Sequence, residues 1–434
     1  MFLGKLCRKY ELRLYEYIYF FLMVIYMAYM VPETRVMTGG ITTRPVAFAI
    51  PVFLTVILLL RNRVKFGKNF YFLLILLLVW SVIQIEVKKQ YQLKELANYF
   101  YIIYAYILAY IHFSIYKKKM FVLYEDIMVI FAKISLVIWL FTTVAPNVAL
   151  QVARLFPQTP HGYNFLFLIN WIDPNSLQVT YGIIRNSGCA WEPGRFAIML
   201  CLAILVNLYD RGVVFRKNKN VIWLLVALLT TMSTTGYVLC VILYLYFYVK
   251  RLNLQYVLGA LIVIVPVIYF GLQLEFIGEK LQDRLNVKED VDHIEMSWQW
   301  TEQHNENEDG VAYSMDRFPS MYFEFQNFMH DPIIGYGANV EYSYFYKNYT
   351  TALGFCGGLA QIFGKYGIIL GLIFFFILYK SSIVISRDFE SRKTLGFFIY
   401  AFISMISYPL IWQALYTAFW FYGYYENKNL KKIR

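Results

Sequence analysis

The chain alternates between long apolar runs and short polar or basic segments. A helix that crosses a bilayer needs about 20 mostly apolar residues, so the pattern predicts an all-α, polytopic membrane protein with about 12 transmembrane helices, in a range of about 10–12. The apolar runs cover residues 15–31, 45–60, 70–85, 97–116, 126–145, 191–209, 220–232, 236–249, 254–272, 352–379, 395–409 and 411–425.

The basic residues between these runs predict an orientation. Lysines and arginines cluster before the first run, after every second run and at the end of the chain, which places both termini in the cytoplasm by the positive-inside rule. The loop 86–96 departs from the rule, because it contains Lys88, Lys89 and Lys94 although it falls outside.

Two of the runs, 220–232 and 236–249, are short for separate spans. The two runs could form either one bent helix or two separate spans. The break at 233–236, which reads Ser-Thr-Thr-Gly, and the alternation of the basic loops favour two.

This topology leaves two large external segments, 146–190 and 273–351. In the second, Met321, Phe325 and Phe328 recur at helical spacing, which predicts an amphipathic helix over 319–329 at the membrane–water interface. The predicted division of the chain is therefore five helices in 1–145, the external loop 146–190, helices six to nine in 191–272, the external loop 273–351, and the C-terminal helices in 352–434.

Composition supports a membrane protein and excludes several classes of function. Of all residues 59% are hydrophobic and only 16% are charged. The net charge of +12 does not indicate nucleic-acid binding, since the excess bases lie in short loops between apolar runs. The five cysteines show no metal-binding spacing, and there is no phosphate-binding GxxxxGK[ST] loop, no HExxH and no GxSxG.

The stretch R-N-S-G-C-A-W-E-P-G-R-F, residues 185–196, holds the first candidate site. Pro193 suits the first turn of a helix, so a span is predicted to begin near Glu192. Helix N-termini attract anions, and Arg185 and Arg195 lie close by in the sequence. We therefore expect a phosphate-facing arginine beside a carboxylate that serves as base or cap; the alternative is that these residues only contact lipid headgroups and cap the helix.

A second arginine occupies a similar position. Arg317 precedes the predicted helix 319–329, so a cation and a positive helix end meet again. Two arginines at two helix starts on one face would suit a diphosphate, because guanidinium groups bind phosphate oxygens in pairs. The alternative for Arg317 is a salt bridge within the acidic loop.

Two histidines complete the set of candidates. His330 precedes the turn D-P-I-I-G-Y-G, and His161 lies in P-Q-T-P-H-G-Y-N. A lone histidine is more often structural, so each is a weaker candidate for contact with substrate.

Several of these motifs occur together in a known order. R-x-x-G-x-x-W-E-P-G (185–194) opens a predicted span after a long loop; Asp316-Arg317, D-P-I-I-G-Y-G (331–337) and G-G-L-A-Q-I-F-G-K-Y-G (357–367) follow. In this order, residues 146–380 resemble the O-antigen polymerase and O-antigen ligase superfamily of bacterial membrane glycosyltransferases.

The resemblance implies a location, substrates and roles. It implies a multi-pass protein of the bacterial inner membrane that uses oligosaccharides linked to undecaprenyl diphosphate, among membrane lipids, with no metal or nucleotide cofactor and no nucleic acid. A flippase and a chain-length regulator are the implied protein partners. Arg185 and Arg317 become candidates for binding the diphosphate and Glu192 for the general base, with His330 as a weaker catalytic candidate; Arg195, His161 and Trp191 become candidate substrate contacts.

One departure from the family favours polymerase over ligase. Ligases of the family usually carry a His-Asn pair just before the span that follows the turn, whereas this chain has no histidine there. The expected function is therefore joining of repeat units into O-antigen, capsular or exopolysaccharide chains on the periplasmic face. A ligase that transfers polymer to an acceptor such as lipid A core is one alternative, and a flippase for lipid-linked oligosaccharides is another.

The resemblance predicts that Arg317→Ala abolishes chain growth while the protein remains folded and inserted, because a diphosphate ligand would lose a cation. Gel electrophoresis of surface polysaccharide measures the effect, and immunoblotting of membranes checks insertion. Polymer of normal length in an inserted Arg317→Ala variant would rule out this role.

Overall fold

The chain is mostly helical in the computed structural model, which describes residues 10–28, 44–159, 161–166, 168–174, 179–180, 183–215, 218–249, 317–349 and 358–426. Within these ranges five helices are long and apolar enough to cross a membrane. This agrees with the predicted helical membrane protein. The count of about 12 spans is not confirmed, since other apolar helices are shorter and the run 254–272 lies outside the described residues.

The helices of the N-terminal half are α1 (Leu14–Met27), α2 (Arg44–Arg61), α3 (Lys68–Lys88), α4 (Leu93–Tyr116), α5 (Lys119–Val144) and α6 (Pro146–Ala153). Those of the C-terminal half are α7 (Pro193–Arg211), α8 (Lys219–Thr230), α9 (Thr234–Tyr248), α10 (Arg317–His330), α11 (Tyr344–Tyr349), α12 (Gly358–Asp388), α13 (Gly396–Ser407), α14 (Ala414–Trp420) and α15 (Tyr422–Tyr425). The long helices α3, α4, α5, α7 and α12 are the five candidate spans.

Helix α7 is the centre of the bundle. Every residue from Pro193 to Tyr209 is buried, and α5, α8, α9 and α13 all pack against the helix. A helix that is apolar on all sides is stable only when surrounded, and the sequence of α7 has this character. The candidate stretch 185–196 therefore leads into the interior of the protein.

The segment 220–249 forms two helices. Helix α8 ends at Thr230, and α9 begins at Thr234 after Ser233, whose Oγ accepts a hydrogen bond from the Gly236 N–H at 3.3 Å. A serine at this position satisfies one of the free donors of a helix start. The break predicted at 233–236 is thus present.

Helix α5 begins at Lys119, well before the predicted run 126–145, and so contains a buried carboxylate. Glu125 is fully buried, and its Oε1 accepts hydrogen bonds from Asn207 Nδ2 at 2.7 Å and Arg211 Nη1 at 2.8 Å. A buried charge requires such partners, which α7 supplies here.

Short strands in the first large loop depart from the all-α prediction. Strands β1 (Gln158–Thr159), β2 (Gly162–Phe165) and β3 (Ile169–Ile172) form an antiparallel sheet in that order, and β4 (Val179–Thr180) pairs with β5 (Ile183–Ile184). Aromatic and β-branched residues favour strands, but segments this short give little alternation to detect in a sequence.

Helix α10 includes the residues 319–329 for which the sequence predicts a helix. It packs on α12 through a buried face that contains Phe323, Glu324 and Asn327, while Phe325 and Met329 are 56% and 60% exposed. Part of the apolar face therefore points away from the described part of the protein, and the location at a membrane interface stays a prediction.

Ion pairs join the loop 86–96 to the segment that follows α10. Lys88 pairs with Asp331, and Lys94 pairs with Glu341 at 2.9 Å. These contacts place 86–96 and 331–341 at the same end of the bundle. Two of the three lysines that depart from the positive-inside pattern are therefore matched by carboxylates of the acidic second loop.

Backbone hydrogen bonds, which we call the backbone clamp, hold the turn 331–337 against residues 364–368 of α12, where Gly367 interrupts the helical geometry. The Tyr336 N–H donates to the Gly364 carbonyl at 2.9 Å, and the Ile368 N–H donates to the Pro332 carbonyl at 2.8 Å. Gly367 has φ +70°, and a Cβ there would lie 1.9 Å from the Ile333 carbonyl oxygen. The clamp thus needs glycine at this position.

We expect Gly367→Ala to destabilise the protein far more than Gly212→Ala. Both glycines have positive φ, which costs an alanine about 1–2 kcal/mol. A Cβ at 212 meets nothing within 4 Å, whereas at 367 it must also displace backbone, which adds about 1–3 kcal/mol. Thermal unfolding of the purified protein in detergent measures the difference, and equal losses for the two variants would contradict the clamp.

Candidate functional site

The first turns of α4, α7 and α12 meet around one cavity of about 550 Å³, which we call the entry cavity. Cavities of about 300–1,000 Å³ accommodate small ligands. The segments 338–341 and 409–413 complete its wall. The side chains that line it and carry charge or hydrogen-bonding groups are Asn98, Tyr101, Arg195, Asn339, Glu341, Gln361, Lys365, Tyr366, Trp412 and Gln413.

Arg195 supplies the first cation of the entry cavity. It lies in the first turn of α7 and is 5% exposed. Its Nε and Nη2 donate to the Met27 carbonyl at 3.2 and 3.0 Å, and its guanidinium carbon lies 6.0 Å from the centre of the Tyr408 ring. These contacts hold the guanidinium at the wall of the cavity.

Lys365 supplies the second cation. Together with Gln361 it lies on one face of α12, because residues four apart are neighbours on a helix. Its carbonyl, like that of Ile334, accepts a hydrogen bond from the buried Gln84 Nε2 at 2.7 Å. The backbone clamp and α3 therefore fix the position from which Lys365 reaches the cavity.

Glu324 lies behind Lys365 and is fully buried. Its carboxylate accepts hydrogen bonds from Tyr336 Oη at 3.1 Å and Asn327 Nδ2 at 3.3 Å. Burial raises the pKa of Glu324 to about 6, although the Lys365 cation and the hydrogen bonds oppose the rise. Glu324 thus provides a counter-charge for Lys365 from outside the entry cavity.

An amide network holds the wall that faces α4. Asn98 Nδ2 donates to Asn339 Oδ1 at 2.6 Å, and Asn339 Nδ2 donates to Gln90 Oε1 at 2.8 Å. Glu341, 39% exposed, is the carboxylate among the residues that line the cavity. The ordered amides and this carboxylate offer hydrogen-bond partners for a polyhydroxylated ligand.

Gln413 adds a buried acceptor to the wall of the entry cavity. Its Oε1 is buried and has no hydrogen-bond partner among the described residues. A buried acceptor without a donor costs about 1–3 kcal/mol, so such groups commonly bind water or a ligand. The entry cavity therefore combines two cations, aromatic rings and a free acceptor, which fits a phosphorylated sugar.

The N-termini of α4 and α7 contribute different amounts of partial positive charge to the entry cavity. At α4 the Glu95 Oε2 accepts a hydrogen bond from the Gln92 N–H at 2.9 Å and so offsets the partial positive charge of that end. At α7 the N-cap residue is Glu192, with Pro193 in the first turn as predicted, but its side chain makes no capping hydrogen bond. Of the two roles that the sequence left open for Glu192, the carboxylate cap is not formed, and the role of general base stays a prediction. Its carbonyl accepts a hydrogen bond from the Phe196 N–H at 3.2 Å.

Arg185 lies away from the residues that line the entry cavity. Its Nε donates to the Thr231 carbonyl at 3.0 Å, at the C-terminus of α8. The neighbouring Asn186 N–H donates to the Thr230 carbonyl at 2.9 Å. A cation stabilises the partial negative charge of a helix C-terminus, so this geometry gives Arg185 a role in joining the loop to α8.

The structure brings His161 and Trp191 together. Their rings are stacked with centroids 5.5 Å apart, and the Trp191 carbonyl accepts from Asn170 Nδ2 at 2.8 Å. The pair therefore joins the small sheet to the start of α7. Neither residue lines the entry cavity.

The remaining two candidates lie on α10. His330 is exposed at its C-terminus and stacks on Tyr344 with centroids 3.5 Å apart. Arg317 is the first residue of the helix, and its side chain lies outside the described residues.

Sequence reasoning missed Lys365, Gln361 and Glu324. A signal was present, because a lysine near the start of an apolar run is costly in a membrane and thus points to a function. Gly364-Lys365 does not fit the pattern of a phosphate-binding loop, so no motif identifies this lysine. Arg195, a candidate substrate contact by sequence, lines the cavity.

Comparison with known proteins gives no further assignment. No protein-family model matches the chain, and no curated protein or solved structure is significantly similar to it. Among the described residues, no group of three His, Cys, Asp or Glu side chains could hold a metal ion.

We expect Glu324→Gln to change how stability depends on pH. The pKa of Glu324 is raised from 4.5 to about 6 in the folded state, so the stability it contributes is full below about pH 4.5 and is lost as the pH rises through about 6. The free energy of unfolding falls by about 2 kcal/mol over this pH range. The melting temperature of the wild type relative to Glu324→Gln should fall over that window.

Glu390→Gln is the control, because it removes a carboxylate from an exposed position. Thermal unfolding in detergent between pH 4.5 and pH 7.5 measures all three proteins. If the difference in melting temperature between wild type and Glu324→Gln stayed constant over this pH range, the carboxylate of Glu324 would not be destabilised by burial.

Proposed function

We propose that this protein is a metal- and nucleotide-independent membrane glycosyltransferase that polymerises oligosaccharide repeat units carried on undecaprenyl diphosphate. The observation that supports the proposal is the entry cavity, in which Arg195 and Lys365 lie among amides and aromatic rings at the starts of apolar helices. A lipid diphosphate would place its charge at this depth of the bilayer. Its sugars would extend towards the loops of the same end.

Arg195 and Lys365 bind the diphosphate in this proposal. Arg195 brings a guanidinium group that the Met27 carbonyl holds at the cavity wall, and Lys365 adds a point charge from α12. Arg317 remains a proposed diphosphate ligand from its motif. Arg185 acts indirectly, by fixing the loop that leads to Arg195.

The chemical step is a displacement at the anomeric carbon. A hydroxyl oxygen of the incoming unit forms a bond to that carbon, the bond from the carbon to the diphosphate oxygen breaks, and its electron pair leaves with the diphosphate. Arg195 and Lys365 stabilise the charge that develops on the diphosphate. The hydroxyl proton passes to a carboxylate. Glu341 lines the cavity and is the proposed acceptor, and Glu192 remains a candidate from its motif.

The expected surroundings follow from this activity. The protein acts on the periplasmic face of the bacterial inner membrane, with both termini in the cytoplasm. The pairing of the loop 86–96 with the acidic segment supports this orientation, since the excess of unmatched basic loops then lies at the other end.

We expect Arg195→Ala and Lys365→Met each to reduce polymer formation by about 100-fold, because each removes a cation from the developing diphosphate. Arg195→Lys retains charge without the forked geometry and should be intermediate. Arg154→Ala is the matched control, since Arg154 is exposed and does not line the entry cavity. Surface polysaccharide from a strain that lacks the gene and carries each variant is compared on gels, with immunoblots for membrane insertion.

Lipid-linked sugars from the strain without the gene distinguish polymerase from its alternatives. Loss of the long ladder, with single units still on the surface lipid, indicates a polymerase. Bare surface lipid with long polymer on undecaprenyl diphosphate would indicate a ligase. Single units retained on the cytoplasmic face would indicate a flippase and overturn the proposal.

A further inference from the structure

A second cavity, of about 750 Å³, lies at the opposite end of α4 and is called the basic cavity here. Asn98 of the entry cavity and Ser114 of the basic cavity lie about 24 Å apart by the helical rise along α4. This spacing approaches the thickness of a bilayer core. The two cavities therefore open near the two headgroup layers.

Cations dominate the wall of the basic cavity. It is lined by Arg63, Lys65, Lys117 and Lys119, with Glu11 and Glu16 as the carboxylates. Glu11 pairs with Lys119 at 2.8 Å, and Glu16 Oε2 accepts a hydrogen bond from the backbone N–H of Arg13 at 2.7 Å. The four cations of the cavity therefore outnumber its two carboxylates.

Three of the cations are left without such a match. Arg63, Lys65 and Lys117 form no ion pair with any residue that the structure describes. They are exposed and extend from two different connections, α2–α3 and α4–α5. Three like charges at one opening repel one another, so an anion between them would be stabilised.

The cavity is a built feature of the fold. Tyr110 Oη accepts from the Gly67 N–H at 2.8 Å and donates to the Lys65 carbonyl at 3.0 Å, which fixes the α2–α3 loop to α4. The Phe66 ring stacks on Tyr110 with centroids 5.4 Å apart, and Phe113 lies beside them. The cations thus surround an aromatic, apolar floor.

We propose that the basic cavity binds the phosphate of an anionic phospholipid headgroup, with the first part of an acyl chain or the glycerol against the aromatic floor. A basic opening at the end of membrane helices suits an anionic headgroup. An apolar floor favours a lipid over a soluble anion, because inorganic phosphate leaves that surface without a partner. This site is separate from the proposed glycosyl transfer and does not depend on it.

Native mass spectrometry of the full-length protein in detergent tests the proposal. The probes are dioleoyl phosphatidylglycerol, dioleoyl phosphatidylcholine and inorganic phosphate. We expect phosphatidylglycerol to remain bound as a discrete adduct, and phosphatidylcholine and phosphate to bind much more weakly. Equal binding of both lipids, or binding of phosphate as tight as that of phosphatidylglycerol, would overturn the proposal.

Charge variants locate the site. The triple variant Arg63→Gln, Lys65→Gln and Lys117→Gln should weaken phosphatidylglycerol binding by about tenfold or more, since each lost cation removes a favourable contact with the headgroup. The matched control is Arg392→Gln, Lys118→Gln and Lys219→Gln, which removes one arginine and two lysines that do not line the cavity. Equal weakening in the two triple variants would show general charge attraction and overturn the assignment.

A further variant leaves the charge unchanged. Ser114→Phe places a ring in the basic cavity and should reduce phosphatidylglycerol binding without removing a cation. It keeps the test decisive if the triple variant fails to fold. Undiminished binding by a folded Ser114→Phe protein would place the lipid elsewhere.

Discussion

The backbone clamp between the turn 331–337 and the interruption of α12 at Gly367 is the contact on which the entry-cavity end of the bundle depends. The interruption at Gly367 leaves backbone groups of α12 without partners inside the helix, and the turn provides those partners through Pro332 and Tyr336. The same contact brings α10 onto α12, buries Glu324 and places Lys365 at the entry cavity. Because backbone is clamped to backbone, glycines are required where a side chain would separate the two.

The sequence predicts the turn 331–337 but not the segment of α12 that the turn contacts. Pro332, Gly335 and Gly337 predict a bend by their own conformational preferences, without knowledge of the fold. Gly364 and Gly367 look like ordinary glycines of an apolar run, and their role follows only from the approach of a segment about thirty positions away. Local rules therefore found one half of the clamp and missed the other.

The arginines of the stretch 185–196 show a similar limit of prediction from sequence. The sequence could place the start of α7 at Pro193, because proline is favoured in a first turn. It could not show which arginine would face the cavity, since this depends on how α7 is rotated relative to α1 and α12. Arg195 faces it because the Met27 carbonyl and the Tyr408 ring hold its guanidinium there, and Arg185 is drawn instead to the free carbonyls of α8.

The two cavities, at opposite ends of α4, differ in how their cations are partnered within the protein. At the entry cavity each cation has a fixed companion within the protein: Glu324 lies behind Lys365, and the Met27 carbonyl receives Arg195. At the basic cavity Arg63, Lys65 and Lys117 are exposed and form no ion pair with a residue that the structure describes. Fixed cations suit a ligand that must be positioned for reaction, because a preorganised charge needs no rearrangement as the transition state forms. Exposed cations that repel one another suit a ligand that binds without reacting. Their side chains can adjust to a lipid headgroup, because no reaction requires that headgroup to be held in one orientation.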